Sequence, residues 1–466
     1  MTKNVSLAMK GGSYSLAITA IVLAILIVVN IFVSIMPSSW TKFDISSSKL
    51  YSITSNTKAV VNNLQQDVTI YWVVQADMED SIIENLLGKY KSLSGHIDVV
   101  KKNPDVFPTF TEKYTDEQVP NNSLIVESGE RYRYISVNDI YLSEDAYSYY
   151  ATDFDGEGAI TSAIDYVVTE DLPQLFVLQG HGEGDLPATF ADAIEKENIK
   201  TVALSLLAVD EIPEDADAVL IYAPQSDLAE QEAEMLMDYT DNGGKLLVIA
   251  GPVESSELTN LNSVLDHYGV TVTEGIVVES DRNYYAFGYP YVLMPDMNSH
   301  AITDPLIEDR YYPILPIAQG LDVSGATADV TELMTTSSLS FSKIAGFDLD
   351  TYEYEDGDIE GPFTLGVAIT TENNGQLIWF AASDFLDDMY NAYSSGANVD
   401  LAMNAVSSLM GEREAIAIRS KSLNYNYLTI SDSTSSTLKL LMIGVFPLMY
   451  LAMGIFVIIT NRKVLS

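Results

Sequence analysis

The chain has no cysteine, only four histidines, and 24 lysines and arginines against 66 aspartates and glutamates. Without cysteine there are no disulfides and no thiol chemistry, although this alone does not decide the compartment. The shortage of bases gives a formal net charge of −42. Such a surface repels phosphate backbones and anionic lipid, which argues against nucleic-acid binding. Three signatures are also missing: the Walker A phosphate loop, the G-x-G-x-x-G dinucleotide fingerprint and the G-x-S-x-G nucleophile elbow. Their absence argues against ATP hydrolysis, dinucleotide binding and serine acyl chemistry, so any energy source sits on a partner.

Acidic residues are missing from both ends. Residues 1–36 and 438–466 contain no acid, so every Asp and Glu falls between residues 37 and 437. Within Leu16–Met36 and Leu440–Ile459 the residues are mostly apolar and uncharged. At the helical rise, the first run extends about 31 Å, the thickness of a hydrocarbon core. It exceeds the roughly 7–15 apolar residues of a signal peptide, and its exit, "SIMPSSW", offers no clear cleavage site. Two transmembrane helices are therefore expected, with Pro447 kinking the second. Lys3 and Lys10 before the first span, and Arg462 and Lys463 after the second, place both termini in the cytoplasm and the body outside. The expected segments are a cytoplasmic N-terminus (1–15), a span (16–36) and a membrane-proximal α/β domain (37–150). A linker helix (151–172), a larger α/β domain (173–430), a second span (438–460) and a cytoplasmic tail (461–466) follow.

In the body, "SITSNTKAVVNNL" reads as a helix capped by Thr54 or Ser55, "VTIYWVV" and "IDVVK" as strands, and Asn121–Leu142 as a hairpin around Ser128-Gly129. This small unit is thioredoxin-like in outline. Beyond Pro173, the apolar strands "QLFVLQ", "TVALSLL", "ADAVLIYAP", "KLLVIAGP" and "GQLIWFAASD" alternate with amphipathic helices. That pattern predicts a parallel sheet covered on both faces. Asp227 with Glu230 is read as a capping box, and Gly243-Gly244 as the stop of the same helix. Residues 282–362 read as insertions, and the acidic run Asp348–Glu360 as a solvated loop.

Ligands of open parallel sheets bind at the carboxyl ends of the strands. The candidate binding residues there are Gly180, His181, Gly182 and Glu183 of "GHGE", Gln225 of "APQSD" and Asp384 of "SDFLDD". Glycine on both sides of His181 suits a tight turn first, a ligand cradle second and acid–base catalysis last. The other histidines, His96, His267 and His300, are scattered, so no metal site and no cofactor are expected.

The ordered set "FDISSSKLYSITSNTKAVVNNLQQDVTIYW", "VLQGHGEG", "IPEDADAVLIYAPQSDLAEQEAEMLMDYTDNGGKLLVIAGP", "SDFLDD" and "NVDLAMNAVSSLMG" lies between two apolar runs. It resembles the GldG-like auxiliary subunits of ABC-2-type transport systems, associated with gliding motility in some bacteria. The resemblance implies a flavodoxin-like, amidotransferase-related domain without its nucleophile. It also implies an ABC-2-type permease and a cytoplasmic ATPase as partners, in a two-pass plasma-membrane protein with an extracytoplasmic body. Generic transport, rather than gliding, is what carries over, and the cargo is unspecified. The function expected is a non-catalytic, substrate-binding-like accessory subunit. The competing readings are a cell-envelope binding or scaffold protein without a transporter, and last an extracytoplasmic hydrolase.

Overall fold

In the computed structural model, residues 52–142 and 153–410 are described continuously, with short stretches within 20–28, at 50, within 418–423 and within 439–454. The first expected span lies largely outside the described residues, and of the second only residues 439–452 and 454 are described; residues 143–152 and the polar lead Ser431–Thr437 lie outside. Among the described residues, no helix is long and apolar enough to cross a membrane.

The small domain starts with helix α1 (Ser55–Asn62), whose N-terminus is capped by Thr54 Oγ1 accepting from Thr57 N. Strand β1 (Val68–Val73), helix α2 (Ser81–Leu93) and strand β2 (Ile97–Lys102) follow. The two strands run parallel because a helix carries the chain back between them. The hairpin of β3 (Ser123–Ser128) and β4 (Arg131–Ile135) completes a sheet of order β2-β1-β3-β4, leaving β4 at its edge. The turn between them uses Gly129 at φ +60°. Helix α3 (Gly156–Val168), the expected linker, packs on β3 and β4 with Ile160, Ala163 and Ile164 fully buried. Its Glu157 is buried too, and Oε1 accepts from Thr54 N at 2.7 Å and from the hydroxyls of Thr54 and Thr57 at 2.8 Å. One carboxylate thus joins the starts of α1 and α3.

The large domain is mixed α/β around a parallel-rich sheet of ten strands. In chain order come β5 (Gln174–Leu178), α4 (Ala188–Lys196), β6 (Lys200–Leu204), β7 (Ala218–Tyr222), α5 (Glu230–Asp241), β8 (Lys245–Ile249) and α6 (Thr259–Asp266). The insertion contributes β9 (Asp329–Thr335), which pairs antiparallel with β10 (Thr364–Thr370). Then come β11 (Gln376–Phe380), α7 (Asp388–Tyr393) and α8 (Ala397–Leu409). The parallel strands lie in the order β6-β5-β7-β8-β11.

Alternate residues of these strands feed opposite cores. Leu175, Leu220, Leu247 and Ile378 pack with Phe190 of α4 and Leu401 of α8. Phe176, Val219, Leu246 and Trp379 pack with Leu236 of α5 and Leu261 of α6. The near-continuous apolar strands of the sequence follow from this double coverage.

Two details correct the sequence reading. Helix α5 begins at Glu230, so the carboxylate that reaches back to its N-terminus is Glu232, whose Oε2 accepts from Ala229 N at 2.8 Å. Asp227 instead caps α6, accepting from Asn260 N at 2.8 Å and Leu261 N at 3.1 Å. The acidic run is also more than a solvated loop. It folds over Lys343, which is fully buried and pairs with Glu355 at 2.6 Å and Asp358 at 2.9 Å. A fully buried ammonium needs such partners.

Candidate functional site

The chain crosses from β5 outward to β6 and then returns to β7 on the other side of β5. This reversal opens a crevice between the carboxyl ends of β5 and β7, where open α/β sheets bind ligands. The loops facing each other across it are "GHGE" and "APQSD".

In this protein the two loops are fastened together. The His181 carbonyl accepts from Gln225 N and Ser226 N, both at 2.9 Å. The chain enters and leaves that contact through Gly180 at φ +128° and Gly182 at φ +81°. A Cβ on Gly182 would stand 3.1 Å from Gln225 Cβ, so the close approach requires glycine.

The imidazole of His181 is buried between two carboxylates. Nδ1 lies 3.1 Å from Glu183 Oε1, and Nε2 lies 2.9 Å from Glu232 Oε2. Glu183 Oε2 also accepts from the backbone N of Gly180 at 3.0 Å and of His181 at 2.6 Å. The Glu183 and Glu232 side chains are only 4 % and 3 % exposed, which removes water as an alternative partner. Each ring nitrogen is thus committed to one carboxylate oxygen. Both ring nitrogens are spent on these contacts, and no lone pair is left to take a proton from a substrate. Among the described residues, Glu232 Oε1 is buried without a hydrogen-bond partner.

The structure brings Gly180, His181, Gly182, Glu183 and Gln225 together; Gln225 is exposed and folds its amide back onto the Ala223 carbonyl at 3.0 Å. Asp384 belongs to a neighbouring group after β11. It is exposed, and Oδ1 accepts from Ser383 Oγ at 3.1 Å. Of its companions, Asp387 caps α7 through Met389 N at 2.8 Å. Asp388 accepts from Thr189 N at 3.0 Å and Thr189 Oγ1 at 2.7 Å at the start of α4. Burial, with the charges of Asp384, Asp387 and Asp388, pushes the Tyr222 hydroxyl up to about 12. Beside this group stand exposed rings, with Phe287 and Tyr393 4.8 Å apart.

Sequence reasoning missed Glu232, which lies 51 positions from His181 on a helix that reads as a solvated face. The available signal was its place as the third residue of a helix with an acidic first turn. The remaining histidines are dispersed: His96 meets Asp67 and His267 meets Asp241, each at 2.9 Å. Burial lowers the pKa of His300. Among the described residues, no group of three or more His, Cys, Asp or Glu side chains is placed to hold a metal.

A family model described as an ABC-type uncharacterized transport system matches residues 172–405, half of the chain. A second, a domain of unknown function (DUF7088), matches residues 47–142. No curated protein matches. Among solved structures, the mmIFT52 N-terminal domain is 17 % identical at a TM-score of 0.38, over 53 % of this chain and 99 % of that one. A putative GMP synthase component from Thermoplasma acidophilum is 11 % identical at 0.30, over 53 % and 98 %. A glutamine amidotransferase from Thermotoga maritima is 9 % identical at 0.32, over 52 % and 100 %.

Proposed function

The chain belongs to the auxiliary family of ABC-type transport systems, and from that premise we propose that it is a non-catalytic, membrane-anchored accessory subunit. In this reading the apolar runs 16–36 and 438–460 are two spans and both termini are cytoplasmic. The acidic body faces outward and works with a separate permease and a cytoplasmic ATPase. The large domain is a flavodoxin-like, amidotransferase-related shell without its nucleophile. Its strand order supports that assignment, because numbering the parallel strands along the chain gives 2-1-3-4-5 across the sheet.

The closed switch point carries the non-catalytic part of the reading. The usual ligand crevice holds a histidine with both nitrogens committed, in a chain with no cysteine. The exposed members of that edge, Gly182, Gln225 and Asp384, form the surface we assign to contact with cargo or partner. His181 and Glu183 hold that surface in shape.

The chain has no cysteine of its own, so topology can be tested directly. A Glu254→Cys variant should react with a membrane-impermeant thiol reagent on intact cells, and a Lys3→Cys variant should react only after lysis. The opposite pattern would overturn the orientation. Purification in mild detergent should retain a multi-span permease and an ATPase, and their consistent absence would remove the transport role.

A further inference from the structure

The seam between the two domains holds a cavity of about 370 Å³ lined by Tyr132, Arg133, Tyr134, Tyr166, Glu195 and Lys200, among others. It lies where edge strand β4 of the small sheet comes near the start of edge strand β6 of the large one. We propose that this cavity binds a small organic anion, a carboxylate or phosphate carried on a ring such as a sugar.

Charge is the first argument. In a body with 66 acids and few bases, the guanidiniums of Arg131 and Arg133 both lie over the Tyr166 ring, at 4.6 and 5.1 Å. Of the two, Arg133 lines the cavity, and Lys200 joins it there. Stacking on an aromatic face orients a planar guanidinium and leaves its N–H edge for a two-oxygen acceptor. The Lys200 ammonium meets the neutral Gln174 Oε1 at 3.0 Å, and Arg131 donates to the Thr169 carbonyl.

The present occupant is the second argument. Arg133 Nη2 faces Glu195 Oε1 at 3.4 Å, long for a charge-assisted bond, and the Glu195 side chain is 78 % exposed. This carboxylate is a loosely held stand-in at the rim, and it marks the kind of group that fits. Deeper in, buried Asn198 fixes the arrangement. Its Oδ1 accepts from Arg133, and its Nδ2 donates to the Ser162 carbonyl at 2.9 Å and Asp165 at 3.0 Å. The cationic face is therefore anchored to α3, while Glu195 can swing away.

Size is the third argument. The volume is near the small end of known ligand pockets, about 300–1,000 Å³. Besides Tyr166, whose ring carries the guanidiniums, Tyr132 and Tyr134 line the cavity and suit a ring with polar substituents.

The inference stands on the seam and does not depend on a transport partnership. Calorimetric titration of the full chain in detergent, using glucuronate, glucose 6-phosphate, inorganic phosphate and glucose at up to about 10 mM, tests it. The two ring-bearing anions should bind, with inorganic phosphate weaker and glucose silent. Binding should weaken as salt is raised. Lys200→Gln should weaken the ring-bearing anions about tenfold through loss of a charged donor. Glu195→Gln should tighten them a few-fold by removing the competing carboxylate, a gain that a purely structural seam would not produce. Silence of all the anions, equal binding of glucose, or affinities unmoved by both substitutions would overturn the proposal. Equal binding of inorganic phosphate would remove the ring from it.

Discussion

His181 and Lys343 are both buried bases held between two carboxylates, yet their surroundings differ. The Lys343 ammonium uses all three protons, on Glu355, Asp358 and the Glu353 carbonyl at 3.0 Å. Its cluster opens to water on one side, where the Glu355 side chain is 58 % exposed. The His181 cluster is closed on both sides and leaves Glu232 Oε1 unsatisfied. Lys343 therefore neutralises a local excess of acid and ties a loop to the strand Phe341–Lys343. His181 joins a loop, a neighbouring loop and a helix start at the crevice between β5 and β7.

That difference sets the order of effects. Replacing His181 with Ala leaves two buried carboxylates facing each other, and breaking such a group typically costs about 3–5 kcal/mol. Chemical denaturation followed by the fluorescence of buried Trp379 should show this loss. A loss below about 1 kcal/mol would mean the clasp contributes no more than an ordinary hydrogen bond. Lys343→Met keeps the apolar stem and should cost less, about 2–3 kcal/mol, because Glu355 can turn into water while Asp358 cannot.

The Lys343 cluster should also show its own pH signature. Burial alone would lower the Lys343 pKa, but the bonds to Glu355 and Asp358 outweigh it and raise the value. Burial alone would raise Asp358, but Lys343 and the backbone N–H groups of Glu355 and Ile344 outweigh it and lower the value. For Asp358 the stabilisation is present above its unfolded value, about 4, and is lost as pH falls through the depressed folded value. For Lys343 it is present below its unfolded value, about 10.4, and is lost as pH rises through the elevated folded value. The gap between wild type and Lys343→Met should then be flat across neutral pH and shrink at both extremes. A gap that closes between about pH 6 and 8 would assign the coupling to other groups.

Much of this organisation is legible in the chain, for identifiable reasons. Four of the five parallel strands show themselves because they are buried on both faces, while β6 at the edge is mostly exposed, and "GHGE" is conspicuous because its glycines bracket a rare residue. Long-range partners are not legible in the same way. Glu232 looks like any acid near a helix start, and only the crossover from β5 to β7 brings it to His181. Lys343 carries no local sign of burial, because its partners come 12 and 15 positions later in a run that reads as solvated. The seam cavity is hidden for the same reason. Arg133 and Lys200 are 67 positions apart on the edges of separate sheets.

Backbone substitutions separate the loop's shape from its charges, with smaller effects. Gly182→Ala imposes a left-handed backbone on a residue with a side chain and also presses it against Gln225. It should cost about 1–2 kcal/mol. Gly180→Ala meets open space, so its whole cost is backbone strain at φ +128°, about 1–2 kcal/mol. If Gly182→Ala is as stable as wild type, the contact between the loops is looser than the 3.1 Å approach implies.

The smallest effect expected is the most informative about the clasp. Glu232→Gln keeps a carbonyl oxygen for Ala229 N and for a proton on His181 Nε2, while its amide occupies the position of the unsatisfied Oε1. The substitution removes one of the two carboxylates that flank His181. Because each hydrogen bond has a replacement, the net cost should stay below about 1 kcal/mol. Nitrogen chemical shifts of the His181 ring, followed against pH, would show whether Nε2 keeps its proton. A cost as large as that of His181→Ala would mean that the charge of Glu232, rather than its hydrogen bonds, holds the switch point shut. The clasp would then be an ion pair like that of Lys343, and the contrast between the two clusters would disappear.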